Sequence, residues 1–494
     1  MKTVSEVNSA LKIRRRKWRL QPDPKQVICR PHIPGGDPQH IENIIQRILA
    51  ISGTESQQLL KWVKSRFSVR HRHLTRTLKQ HYKLVECYIT DSDILSEQQK
   101  LLIGAYFTME YAVASAALFN PSIVPHPDQS KTPPNTLRFI MSLRATGEGH
   151  VSSIVFRTGI IGIRNKIEFD QSSHYVETAV RKLNPDYDKH LFIRKLNELN
   201  ATNDITEQLF NQLPEHFNFD QLQVQIDKMF HQPSFDVDQM HEAITPINWL
   251  ANSNYKLKFD CKHSVSERVI FPTSEVERGG IEDARFVQFY DENGAVTYYA
   301  TYTAYNGLSI LPQLIETTDF DNFKIVTLNG KAARNKGMAL FPRKINGHYA
   351  MLSRQDGESN YIMFSDHLHF WHDAQLLQMP NEPWEFVQIG NCGSPIETNE
   401  GWIVLTHGVG PMRQYSMGAI LLDLENPARV KARLIQPLLS PLETEREGYV
   451  PNVVYSCGGL INNNELLIPY AMSDMRSGMV SVNVNELIKA MTPI

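Results

Sequence analysis

The sequence predicts a mainly β protein: repeated small antiparallel sheets, preceded by a helical region and interrupted by a helical insertion. Three observations lead there. From about residue 265 onward the chain is nearly all short aromatic and β-branched runs between polar turns. Examples are ARFVQF (284–289), TYYATYTAY (297–305), YAMLSR (349–354), GWIVLTHG (401–408) and ELLIPYAMS (465–473). These runs have no βαβ rhythm, which argues against a doubly wound fold or a TIM barrel. The first 120 residues, by contrast, place apolar side chains at helical spacing. A sandwich satisfies the strand pattern. Sheets set around an axis, as in a propeller, also explain how many loops reach one site. No internal repeat is clear enough to count them.

Taken in order, Ile41, Ile44, Ile45, Ile48 and Leu49 line one helix. Ser52 with Glu55 resembles a capping box, ahead of a face made by Leu59, Leu60, Val63 and Phe67. Leu74, Leu78, Tyr82 and Val85 suggest a third helix. Ser96 with Gln99 caps a fourth, expected to run on through the apolar stretch to Phe119 and to stop at Asn120-Pro121. We read residues 1–118 as a helical accessory region for packing or assembly and 119–494 as the β domain. After the linker-like PSIVPHPDQSKTPPN, Leu137 to Arg144 and Val151 to Ile161 read as strands. A helical insertion at about 186–249 is anchored by Leu191, Phe192, Leu196, Ile205, Leu209 and Phe210.

A chain of 494 residues, 41% hydrophobic, can bury a large core. With 51 Lys and Arg against 53 Asp and Glu, the net charge of -2 argues against a nucleic-acid tail or a membrane anchor. The RRRK run at 14–17 reads as a solvated surface strand or arm. The start lacks an apolar secretory core and no run is long enough to span a bilayer, so a cytoplasmic location is expected. Cys29, Cys87, Cys261, Cys392 and Cys457 are scattered, which suits a reducing compartment.

The densest polar motif is GGIEDARF at 279–286. Strand side chains alternate faces, so Glu282 and Asp283 should take different roles unless a turn intervenes. One of them can move a proton while the other fixes a sugar hydroxyl or Arg285. A structural Asp–Arg pair fits the same residues. Arg144, Lys336, Arg354 and His407 each sit beside glycine-rich turns. Together they suggest a basic pocket for phosphate, arginine giving a donor fork and lysine a compact charge. Tyr302, Tyr305 and Trp402 can offer apolar faces to a sugar or pack within strands. His367, His369 and His372 look metal-like by composition but read better as exposed turn residues, and no metal is expected.

Residues 119–480 resemble glycoside hydrolase family 130, which contains β-mannoside phosphorylases and β-mannosidases. The resemblance rests on FNP (119–121), LRATGEG (143–149), GIEDARF (280–286), TYTAYNG (301–307), NKGMALFPRKINGHY (335–349), SRQDGE (353–358), GWIVLTHGV (401–409), GAILLDLENP (418–427) and EGYVPNVVYSCGG (447–459). It implies a five-bladed β-propeller and, for this chain, a long divergent branch. It implies Asp283 as the general acid, with Ala284 where the family has proline and Thr406 where it has tyrosine. It implies Arg144, Lys336, Arg354 and His407 as phosphate ligands, and Glu282, Arg285, Tyr302, Tyr305 and Asp356 around the sugar. The implied reaction is inverting phosphorolysis of β-mannosides or manno-oligosaccharides to α-mannose 1-phosphate. Inorganic phosphate is the co-substrate, with no other cofactor, and a homo-oligomer through the helical region is one expected assembly. A β-mannosidase is the alternative, and a non-catalytic carbohydrate-binding propeller is the third reading.

Overall fold

The structure, a computed structural model, describes residues 11–494 apart from 36, 91, 184–185, 232–235 and 306–309. Residues 1–10 and the Asn306–Gly307 end of the TYTAYNG segment therefore lie outside the described residues. The described chain is mainly β. Five largely antiparallel sheets of four to six strands follow one another, with two short two-stranded ribbons and helices between them.

The first sheet holds Ala117–Pro125, Leu137–Thr146 and Ser152–Ile161, then Arg268–Ile270 and Glu177–Thr178, with Ile167–Phe169 on its flank. The second runs Gly280–Tyr290, Val296–Tyr305, Ile310–Thr317, Asn322–Thr327, Tyr255–Lys258 and Val180–Leu183. The third contains Ala339–Leu340, Tyr349–Ser353, Asn360–Ser365 and Gln375–Gln378. The fourth is built on Gln388–Asn391, Gly401–Val409, Tyr415–Leu422 and Val430–Arg433, and the fifth on Val454–Tyr455, Glu465–Met472 and Arg476–Asn483. Every residue of Gly401–Val409 is buried, which explains why its Trp402–Leu405 run is apolar throughout in place of alternating. The chain ends also join the sheets. Arg14–Arg15 pairs with Arg476–Asn483, and Thr492–Pro493 with Val430–Arg433. The basic run is thus an edge strand whose Arg14 and Arg16 meet Glu465.

Four helices form near the start: Pro38–Leu49, Gly53–Phe67, Leu74–Lys83 and Glu97–Tyr106. Ile41, Ile45, Ile48, Leu60, Leu78 and Tyr82 meet in one apolar cluster. Ser52 accepts from the Glu55 N–H, and Ser96 with Gln99 completes a reciprocal capping box. The fourth helix stops at Tyr106, not near Asn120. Thr108–Ala114 pairs instead with Asp23–Pro31, and Ala117–Pro125 enters the first sheet. An apolar run carries no period that separates a buried strand from a helix, so the sequence reading overextended here. Pro121 sits where the register shifts between Phe119 and Ser122, so its missing N–H costs no ladder bond. The expected boundary at 118/119 therefore falls inside a strand.

The insertion forms helices Lys189–Glu198, Asp204–Asn211, Phe219–Phe230 and Val237–Asn252 around their own core, which includes Phe192, Leu196, Ile205, Leu209 and Phe210. Leu191 is only half-buried. The strands on either side, Val180–Leu183 and Tyr255–Lys258, pair with each other. The insertion is thus a long hairpin connection at one edge of the second sheet. Among the described residues no helix is long and apolar enough to cross a membrane.

Candidate active site

One cavity of about 290 Å³ draws residues from all five sheets. Arg144 comes from the first and Glu282, Asp283 and Arg285 from the second. Lys336 lies on the loop entering the third, and Arg354 follows Tyr349–Ser353. His407 stands on the fourth, with Tyr455 and Asp474 on the fifth. The five sheets' contributions come from separate stretches of the chain, and each lies at or near a strand end.

The GIEDARF strand reaches the cavity through a bulge. Glu282 pairs with Thr303 and Arg285 with Thr301, leaving Asp283 and Ala284 opposite a single residue. Asp283 takes φ 53°, a left-handed conformation that aspartate tolerates better than most side chains. This kink overrides strand alternation, so Glu282 and Asp283 both line the cavity. Gly280, at φ 123°, admits the strand close to its neighbour, since a Cβ there would lie 2.4 Å from the Ser152 Oγ. Ala284 stands where the resemblance implies a proline. It lies outside the paired register, where a missing N–H is tolerated.

Arg144 bridges the two carboxylates, 3.0 Å from Glu282 and 3.4 Å from Asp283, while Lys336 holds the other Glu282 oxygen at 2.5 Å. The Asn120 amide donates to Asp283 Oδ1 at 2.7 Å. Burial alone would push the Asp283 carboxyl up. Arg144 and Arg285, with the Asn120 bond and Lys336, outweigh it and hold the group below its ordinary value. Asp283 is therefore ionised in the free protein. Asp474 faces the opposite balance: burial and the nearby Asp283 charge, against Arg144 and Arg413, push it up to about 7.

The cavity is rich in cations. Among the described residues Arg354 makes no hydrogen bond or ion pair, and its Nε is buried without a partner. Arg285 donates to the Tyr455 hydroxyl at 2.7 Å. Five cations (Arg144, Arg285, Lys336, Arg354 and Arg413) thus face three carboxylates, Glu282, Asp283 and Asp474. His407 adds no charge. Burial, Arg354 and Arg285 lower it to about 3. Its Nδ1 is 3.2 Å from the Asn391 carbonyl, which can only accept, so Nδ1 carries the hydrogen. Its Nε2 then accepts from the Gln388 amide at 3.1 Å. The ring needs the glycine beside it, because a Cβ on Gly390 would lie 2.4 Å from its Cε1.

The cavity brings together Arg144, Glu282, Asp283, Arg285, Lys336, Arg354 and His407, all singled out from sequence. It leaves out four sugar-contact candidates, Tyr302, Tyr305, Asp356 and Trp402. Tyr302 is buried, and its hydroxyl donates to Glu277 at 2.6 Å. Asp356 anchors a turn, accepting the Glu358 and Ser359 N–H groups and the Tyr361 hydroxyl. Tyr305 ends its strand beside Gly280 and does not line this cavity. Trp402 is buried and donates to the Leu424 carbonyl. His369 pairs with Glu316, and among the described residues no side-chain group is arranged to hold a metal. Asn120, Gln388, Asn391, Arg413, Tyr415, Tyr455 and Asp474 join the wall without having been chosen as site residues. FNP and EGYVPNVVYSCGG pointed at Asn120 and Tyr455. Nothing local distinguishes Asp474 from any turn aspartate.

The family model described as beta-1,4-mannooligosaccharide phosphorylase, of glycoside hydrolase family 130, matches residues 239–493. Asn120 and Arg144 lie outside that stretch; the remaining cavity residues lie within it. The 1,2-beta-oligomannan phosphorylase of Thermoanaerobacter sp. (strain X514) is 36% identical over 226 residues, 43% of this chain and 72% of that protein. The beta-1,2-mannobiose phosphorylase of Listeria innocua is 31% identical over 232 residues, 44% of this chain and 62% of that one. The beta-1,4-mannooligosaccharide phosphorylase of Ruminococcus albus is 30% identical over 239 residues, 45% of this chain and 70% of that one. Among solved structures, the Listeria innocua beta-1,2-mannobiose phosphorylase in complex with beta-1,2-mannobiose aligns with a TM-score of 0.45 at 22% identity. That alignment covers 76% of this chain and 92% of the other. On the family match and these relatives, the chain belongs to glycoside hydrolase family 130.

Proposed function

We propose that this chain is an inverting β-mannoside phosphorylase, a glycosyltransferase-type enzyme, with its five sheets as the blades of a five-bladed propeller around the cavity. One observation carries the reading: a carboxylate, Asp283, shares a cavity with more cations than its carboxylates can neutralise, and Arg354 has no partner there. Such a surplus calls for a bound anion. The family model and the relatives named as mannoside phosphorylases support phosphate as that anion and a β-mannoside as its co-substrate.

Phosphate held by Arg354, with Arg285 and Arg413 adding to the field, attacks the anomeric carbon from the face opposite the leaving group. The C–O bond to the acceptor breaks as the bond to phosphate forms, and the configuration inverts to α-mannose 1-phosphate. The leaving oxygen needs a proton, which Asp283 supplies directly or through a sugar hydroxyl. Asp283 is ionised before substrates bind. An incoming phosphate offsets the same guanidinium field that lowers its pKa, so phosphate binding and proton uptake by Asp283 reinforce each other. His407 orients the wall as a neutral ring.

The helical region before the first sheet and the 186–249 insertion are accessory in this reading. The five free thiols suit a reducing, cytoplasmic compartment. The test is phosphate-dependent formation of α-mannose 1-phosphate from β-1,2- and β-1,4-linked mannobiose. Mannose release that proceeds equally without phosphate would reject phosphorolysis. It would favour a β-mannosidase with Asp474, titrating at about 7, as the base that activates water.

A further inference from the structure

Next in the chain to the cavity-lining Val450 stands an aromatic pair that the chemistry above leaves unused. The Tyr449 hydroxyl lies 3.0 Å from Nδ1 of His150, and the two rings are 5.4 Å apart at 36°. The partners come from opposite ends of the β domain. His150 is at the tip of the hairpin between Leu137–Thr146, the strand that carries Arg144, and Ser152–Ile161. That tip is held by the Tyr111 hydroxyl, which donates to the Glu148 carbonyl at 2.8 Å. Tyr449 precedes Val450, a cavity-lining residue whose N–H donates to the Ser473 carbonyl, one position before Asp474. A Cβ on Gly448 would lie 2.4 Å from that same carbonyl, so the backbone carrying Tyr449 is pressed against Ser473. Yet Tyr449 itself is 52% exposed.

An exposed aromatic fixed at both ends of its hydrogen bond is a platform awaiting a partner. The cavity is at the small end of ligand-sized sites. A disaccharide with its first ring beside Asp283 must extend its second ring past the wall. Tyr449 is next in the chain to the wall residue Val450, and His150 and the wall residue Arg413 add polar edges that can meet hydroxyls.

We infer that Tyr449, held in place by His150, is the face against which the acceptor sugar lies, and that this pair selects which acceptors the enzyme takes. The inference rests on the phosphorylase reading and adds its specificity residue. The acceptor class is a neutral pyranose.

The experiment runs the reaction in the synthetic direction, with α-mannose 1-phosphate and either mannose or mannobiose as acceptor, measuring phosphate release. Tyr449→Ala should raise the acceptor KM about 3- to 10-fold, the loss of one aromatic contact. The KM for α-mannose 1-phosphate should stay at the wild-type value, and the change should fall on acceptor KM rather than kcat. Tyr449→Phe keeps the ring and loses the bond to His150, so it should recover most of the acceptor affinity. His150→Ala should resemble Tyr449→Phe. Thermal melts check that each variant folds. An acceptor KM unchanged in Tyr449→Ala, or an equal rise in both KM values, overturns the inference while phosphorolysis stands. A wild-type protein that makes no α-mannose 1-phosphate from any β-mannoside overturns both.

Discussion

Replacing Asp283 by asparagine removes its charge and its proton while keeping its shape. The residue sits at φ 53°, where asparagine is among the best-tolerated side chains. Its carbonyl can still accept the 2.7 Å bond from Asn120. Arg144 keeps its 3.0 Å pair with Glu282, so no cation loses its last partner. The structural cost is the weaker 3.4 Å contact to Arg144. The folded pKa of Asp283 is lowered, so its stabilising contribution is present above 3.8 and is lost as pH falls through the folded value. At neutral pH the variant forgoes that contribution. We expect a loss of about 1–2 kcal/mol, or roughly 1–2 °C in Tm for a chain of this length. Turnover should fall roughly 10²–10⁴-fold, the usual effect of removing a positioned acid. The assay pairs α-mannose 1-phosphate formation with a thermal melt for wild type, Asp283→Asn and Asp283→Ala. Alanine also pays about 1–2 kcal/mol for the left-handed backbone. The two variants should therefore be equally inactive, with alanine melting lower. Asp283→Asn that folds normally and keeps more than about a tenth of wild-type turnover refutes the assignment.

Three further outcomes are expected. Arg354→Gln should raise the phosphate KM about 10- to 100-fold, the loss of charge-assisted bonds, and leave the mannoside KM alone. Because it removes a half-buried cation whose Nε is buried with no partner, it should also raise Tm; a lower Tm would contradict the unpaired state. Asp474 has its folded pKa raised from 3.8 to about 7, so the folded state holds that proton more tightly. Its contribution is present at low pH and is lost as pH rises through that window. Asp474→Asn should accordingly gain Tm relative to wild type at pH 8 and not at pH 4, and an equal difference at both would count against the shift. Gly390→Ala drives a Cβ into the His407 ring and should cost about 1–3 kcal/mol. A wild-type melt and wild-type phosphate KM would show that the wall yields freely.

Much of the site was legible from sequence because its residues sit in dense local motifs. GIEDARF, LRATGEG and SRQDGE name Asp283, Arg144 and Arg354, and all three line one cavity. Aromatic residues were less legible. Tyr302 lies on a strand beside the motif, but its alternation turns it to the buried face, where Glu277 takes its hydroxyl. Asp356, within SRQDGE, closes its own turn through short-range bonds that a motif cannot reveal. Asp474 escaped notice because its importance comes from the charges of Asp283 and Arg144, far away along the chain.

The sequence by itself determined most of the elements and named seven of the charged and imidazole side chains that meet in the cavity, but not the rest of its wall. Side-chain periodicity, caps and turn residues act over a few positions, and so do the motifs. It misread the stretch from 107 to 119 because an unbroken apolar run suits a buried strand as well as a helix. Only the tertiary structure decided how the site works. A bulge turned Glu282 and Asp283 to the same cavity, burial silenced the charge of His407, and five sheets set unpaired arginine beside paired carboxylates. Those properties depend on distance and local dielectric among groups from different sheets, quantities that exist only once the chain has closed around them.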